Sequence, residues 1–349
     1  MDMTRVVKVS GDNLGRVVEE AGEVIRGGGL VVFPTETVYG LGADAYNVEA
    51  VRKIFLVKGR PPDNPLIVHI DSLEMFERVV RDPPDHLYKY VGRLWPGPFT
   101  IVYYRGDIPD VVSAGLETVA VRMPAHPVAQ ALIKYSQVPI AAPSANISGR
   151  PSPTSPEHVI QDLFGRVDMI LDAGETLYGV ESTVIDFTTD PPRLLRPGPL
   201  TVEELSDALG VEIEVPEYVR NRIEVGDPRS PGMKYRHYAP DASMVLVEYR
   251  GDLYQMVERV ISVYREVSIH GRVGILATDE TIEYYMGLDA ELASLGSRSD
   301  LYTVAKNLYK MLRWMDGKGV DYLIVEGFED RGLGLTIMNR LRRAAERYV

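Results

Sequence analysis

Short apolar runs recur along this chain, each followed by a longer stretch of helical period, and that alternation restricts the fold to the α/β class. Leu30 to Phe33, Leu66 to Ile70, Phe99 to Tyr104, Thr118 to Met123, Val138 to Ala142, Met169 to Leu171 and Leu194 to Arg196 read as strands. Between them Leu14, Val17, Val18, Ala21, Val24 and Ile25 recur at helical spacing, and further helices are expected at Val48 to Val57, at 72–82 and at 85–94. With 349 residues the chain exceeds what one hydrophobic core usually supports. Residues 216–243 are polar and punctuated by proline and glycine, as a linker would be. The expected division is a catalytic domain over 1–215, this linker, and a second domain over 244–349. In the second domain, strands at Met244 to Tyr249, Arg272 to Thr278 and Tyr322 to Phe328 alternate with helices near 252–266, 299–316 and 335–347, which implies a small parallel sheet.

Composition excludes several classes of chemistry. The chain has no cysteine, so disulfides, thiol nucleophiles and cysteine-bound metals are out. Its six histidines never fall at metal-pair spacing, so no metal held by protein side chains is expected. A formal charge of −12 argues against broad capture of nucleic acid, and any positive site must be local. No apolar run is long enough for a membrane span, and the opening residues show no export signal, so a cytoplasmic protein is expected. The run Gly27 to Gly29 is a helix stop, because it lacks the lysine and hydroxyl of a Walker A loop.

Four places could bind a ligand. Lys58, Gly59, Arg60 and Pro61, continuing through Asn64 to His69, read either as the floor of a phosphate site or as a solvated basic turn. Thr35, Glu36 and Thr37 follow a strand end, where α/β proteins bind ligands, but they could equally cap the next helix. Arg122 and Arg196 interrupt apolar strands, and a buried cation needs a carboxylate from the protein or from a ligand. Pro143 to Thr154 is small, polar and stiffened by proline, suited to wrapping phosphates with hydroxyls and backbone N–H groups.

Taken together, these motifs, with Glu181–Ser182–Thr183, Arg196–Pro197–Gly198 and the linker run Ser230 to Pro240, resemble the YrdC family of threonylcarbamoyl-AMP synthases in its long, two-domain form. The resemblance implies a twisted mixed sheet with helices for the first domain and a Rossmann-like parallel domain for the second. It also implies condensation of L-threonine, bicarbonate and ATP to threonylcarbamoyl-AMP and pyrophosphate, the first step toward N6-threonylcarbamoyladenosine in tRNA. Under it Lys58, Arg60, Ser144 and Asn146 form the catalytic set, and these with Asn64, Thr118, Ser152, Arg196 and Ser230 bind ATP. Thr37, His69, Arg122, the backbone at Ala142 and Ser182 take threonine, and Mg²⁺ travels with ATP. The product would pass to the tRNA threonylcarbamoyl transferase machinery from a monomer with weak or no direct tRNA binding. Lys234, Tyr235, Arg236 and His237 suggest that the linker is a lid over the nucleotide, and the second domain is expected to regulate or dock a partner. Three rivals remain: a carbamoyl-transfer module of hydrogenase maturation, whose cysteine-rich modules this chain cannot carry, an RNA-binding module, which the acidic balance disfavours, and a Rossmann-like nucleotide binder, for which the absence of GxGxxG after a strand counts against dinucleotides.

Overall fold

A computed structural model of the chain describes residues 4–220 and 238–349. Ser230 and the Lys234 to His237 cluster lie outside the described residues, and so does most of the expected linker. Ten strands form the first sheet: β1 (Arg5–Lys8), β2 (Val31–Phe33), β3 (Gly40–Asp44), β4 (Ile67–His69), β5 (Phe99–Tyr104), β6 (Thr118–Arg122), β7 (Ile140–Ala141), β8 (Met169–Asp172), β9 (Thr183–Asp186) and β10 (Arg193–Arg196). Their spatial order is β1-β8-β2-β3-β7-β4-β6-β5-β9-β10, with parallel and antiparallel neighbours mixed. Two departures from the sequence reading stand out. The end of the Pro34 to Gly42 loop is already strand β3, and the short strand β1 pairs with β8 far along the chain.

Side chains alternate across a strand, so each central strand has two distinct faces. Val68, Val119, Val121, Phe99, Ile101 and Ile185 point into the large core of the domain. Ile67, Ala120, Val102 and Val184, from the same strands, point the other way, into a much smaller apolar cluster. On that second face the next alternate positions are His69, Arg122, Thr100 and Ser182, and register places His69 beside Arg122 and Arg122 beside Thr100. One face of the central sheet is therefore apolar at one end and polar at the other.

Gly59 has a local role in the chain. It ends the helix Val48–Lys58 in the left-handed conformation, φ 61°, and a side chain there would meet nothing within 4 Å. Its backbone torsion calls for glycine.

The second sheet contains β11 (Ser243–Val247), β12 (Val273–Ala277), β13 (Glu291–Ser294), β14 (Tyr322–Glu326) and β15 (Arg347–Tyr348), all parallel, in the order β13-β12-β14-β11-β15. Its final helix, Leu333–Ala344, stops earlier than expected, and the last residues add β15 to the sheet edge. Helices Leu301–Lys318 and Leu333–Ala344 lie against the first domain. Arg313 reaches the carbonyl of Pro151 and Thr336 reaches that of Gly198. No helix among the described residues is long and apolar enough to cross a membrane.

Gly198 packs tightly inside its own domain, because a Cβ on it would come within 2.6 Å of Glu181 O and Ser182 C. Both obstacles are backbone, which cannot rotate away. Gly198→Ala is expected to destabilise the protein by about 1–3 kcal/mol, the usual range for overpacking. Thermal unfolding measures this, and an unchanged midpoint would show that the turn at Gly198 has slack.

Candidate functional site

Strand ends and loops from across the first sheet meet over its polar half and enclose a hollow of about 710 Å³, counting space open to solvent. Lys58, Arg60, Arg122 and Arg196, scattered through the sequence, all line it. Thr37, His69, Ala142, Ser144, Asn146, Ser152 and Ser182 line it as well. Asn64 and Thr118 are not among the lining residues, although both are buried. Thr118 shares a strand face with Arg122 but stands four residues earlier, roughly 13 Å away at strand rise. Both amide atoms of Asn64 lack a hydrogen-bond partner in a fully buried setting, a costly state that a ligand could relieve.

Each cation is held in its own way. Lys58 ends its helix with Nζ 2.5 Å from the Ser144 carbonyl and 2.6 Å from the Asn146 carbonyl, so it fastens the small polar loop to the sheet. Burial, and then the neighbouring Arg60, pull its ammonium well below the ordinary lysine range. Arg60 donates to the carbonyls of Asn64 and Pro65 while its Nε has no partner, and burial lowers its pKa to about 10. Arg196 donates through Nε to the Ser182 carbonyl and through Nη2 to Ser182 Oγ, each at 3.1 Å.

Arg122 has a protein carboxylate within reach. Its Nη2 lies 2.6 Å from Glu36 Oε1. That charge contact is misaligned, so neither atom makes a hydrogen bond. Nη1 donates to Thr37 Oγ1 at 2.8 Å and Nε to the Gly97 carbonyl at 3.2 Å. His69, beside it, is driven down to about 3, first by burial and then by the Arg122 charge, and is a neutral imidazole at physiological pH. Its Nδ1 has no partner.

Sequence reasoning gave several residues of this region no role of their own. Glu181, Tyr238 and Arg150 line the hollow, and behind Glu181 stand Tyr309 and Arg340 from the second domain. A signal for Arg340 existed: it falls on the same helical stripe as Ile337, Leu341 and Ala344, where a cation implies a buried anion. The basic run Arg340–Leu341–Arg342–Arg343 masked it as a solvated face.

Three kinds of likeness agree with this arrangement. Residues 23–198 match the model of the Sua5, YciO and YrdC family, described as telomere recombination, and residues 200–346 match that of the threonylcarbamoyl-AMP synthase C-terminal domain. A threonylcarbamoyl-AMP synthase of Pyrococcus abyssi is 48% identical over 326 residues, 92% of each chain, and one of Bacillus subtilis is 46% identical over 333 residues, covering 94% of this chain and 92% of that protein. The crystal structure of P. abyssi Sua5 complexed with L-threonine superposes with a TM-score of 0.89 at 45% identity, over all of both chains. By its motifs, its two sheets and these relatives, the chain belongs to the threonylcarbamoyl-AMP synthase family in its two-domain form.

Proposed function

We propose that this protein condenses L-threonine, bicarbonate or CO₂, and ATP into threonylcarbamoyl-AMP and pyrophosphate, opening the route to N6-threonylcarbamoyladenosine in tRNA. The observation that carries the reading is the meeting of Lys58, Arg60, Arg122 and Arg196 in one hollow. In the reaction the threonine amine attacks CO₂ to give a carbamate, a carbamate oxygen attacks the α-phosphorus of ATP, and pyrophosphate leaves. Both reactants are anions, so the main task of the protein is to hold negative charges close together and in line.

The polar end of the sheet face suits threonine. The misaligned Nη2 of Arg122 is the donor its carboxylate would take, displacing a contact that forms no hydrogen bond of its own. Neutral His69, Thr37, Ser182 and the backbone at Ala142 offer hydrogen bonds to the amine and side-chain hydroxyl without adding charge. A donor matched to that hydroxyl would reject valine more strongly than shape alone. Arg60 and Arg196 would take the phosphates, and Asn64, Thr118 and Ser144 would hold the nucleotide. Lys58 and Asn146 would act mainly by fixing the loop that carries Ser144. Mg²⁺ arrives as part of the ATP substrate. We take the active species to be a monomer in the cytoplasm, dividing as 1–215, 216–243 and 244–349. It releases its product to the tRNA threonylcarbamoyl transferase machinery and binds tRNA weakly or not at all.

Purified protein with ATP, Mg²⁺ and labelled bicarbonate should release pyrophosphate with threonine and far less with valine or serine. Release that ignores the amino acid would end this reading. Arg122→Ala should raise the threonine KM about 10- to 100-fold, the worth of a lost charge-assisted hydrogen bond, while Arg60→Ala and Arg196→Ala raise that of ATP instead. Equal effects on both substrates would place Arg122 elsewhere in the chemistry.

His69 yields a prediction about pH. With a folded value of about 3, against about 6.5 for an unperturbed histidine, the unfolded chain binds this proton first as pH falls. The stability linked to His69 is therefore complete above about pH 6.5 and declines toward about pH 3. Its imidazole resonances in the folded protein should stay constant from about pH 8 to about pH 5. A titration midpoint near 6 would show that the ring is solvated.

A further inference from the structure

Ser152 was read from the sequence as a hydroxyl for ATP, and its partners restrict what it can offer. Its Oγ lies 2.5 Å from Glu181 Oε1. Glu181 also accepts from Tyr309 OH, at 3.2 Å and 3.0 Å, and from Arg340 Nε at 2.8 Å. Burial raises the Glu181 carboxyl, but Arg340 and Arg196 outweigh it and hold the group below the usual carboxylate range. The Arg340 guanidinium is only 1% exposed and reaches the Pro197 carbonyl as well. An ionised carboxylate accepts and cannot donate, so the single hydroxyl hydrogen of Ser152 points at Glu181. Toward the hollow Ser152 has only lone pairs left to give.

We infer that Arg340 and Tyr309, from the two helices of the C-terminal domain, are positioning residues that keep Glu181 ionised, so that Ser152 accepts a hydrogen bond from the nucleoside of ATP. The inference rests on the function proposed above and assigns Ser152 a partner opposite in polarity to a phosphate oxygen. A nucleoside presents two kinds of donor, ribose hydroxyls and the adenine amine, and Ser152 takes one of them. Arg313 supports the same element from its other side, donating to the Pro151 carbonyl through Nε at 3.1 Å and Nη2 at 2.7 Å, with Asp162 closing the pair. The C-terminal domain is thereby part of the nucleotide site, without supplying any group that touches the substrate.

The test is equilibrium binding by calorimetry with the full-length protein, in the absence of threonine and bicarbonate, using ATP, 2′-deoxy-ATP, 3′-deoxy-ATP and purine riboside triphosphate. One of the three analogues, lacking the donor that Ser152 accepts, should bind about five- to tenfold more weakly than ATP, the worth of one hydrogen bond. In Ser152→Ala that difference should vanish for the same analogue and persist for the others. Tyr309→Phe keeps the ring stacked on Tyr238 and removes only the hydroxyl. It should weaken ATP about threefold and shrink the same discrimination, while threonine affinity stays unchanged. Arg340→Lys, which keeps the charge, should act in the same direction more weakly than Arg340→Met. If Ser152→Ala discriminates among the analogues as the parent does, Ser152 accepts nothing from the nucleoside. If Tyr309→Phe weakens ATP and threonine alike, or neither, the helices do not set the site. A parent protein that binds ATP but never releases pyrophosphate would instead overturn the proposed reaction, leaving these binding comparisons intact.

Discussion

Buried positive charge is the constraint on which this structure depends. A site for two anions needs cations in the floor of a sheet, yet each buried ion costs several kcal/mol in lost hydration. The chain meets that cost with carboxylates set just behind the cations: Glu36 against Arg122, Glu181 against Arg340 and near Arg196, Asp162 against Arg313 and Arg150. At Lys58 and Arg60 backbone carbonyls serve, and both side chains are pushed below their ordinary pKa by burial. The protein as a whole is acidic, with a formal charge of −12. Its local positive field is therefore an arrangement of particular pairs and owes nothing to a general excess of lysine and arginine.

The sheet makes that arrangement possible because its two faces carry unequal loads. In β6, Val119 and Val121 anchor the strand in the large core, while Ala120 and Arg122 look the other way. The same alternation in β4 pairs Val68 with the core and His69 with the site. A strand held firmly on one side can bear a cation on the other without losing its place, since a slip of one residue would exchange the two sets. Register then aligns His69, Arg122 and Thr100 across three neighbouring strands.

Much of this was legible before any coordinates. Arg122 and Arg196 stood out because a cation inside an apolar run is unusual, and the loop after Val138–Ala142 stood out by composition. Other features were hidden for physical reasons. Two-residue and four-residue strands such as β15 and β1 carry too few alternations to register as a period. Arg340 went unnoticed, because its partner Glu181 lies 159 residues earlier and no local pattern reports a contact of that span.

The second domain takes on a different meaning in this light. The sequence offered it a regulatory or docking part, since its loops looked poor in site-like residues. Its helices instead contribute Arg313, Tyr309 and Arg340, each more than a hundred residues from the group it holds in the first domain. Two of these are charges that would stand unpaired if the domains came apart, and removing one member of a buried pair is far more costly than never having built it. The same contacts that seal the junction also fix Glu181, which lines the hollow, and Pro151 and Pro197, each next in the chain to a lining residue. Domain separation and loss of nucleotide-site geometry are thus one event, since any movement that frees the junction also releases the carboxylate that orients Ser152.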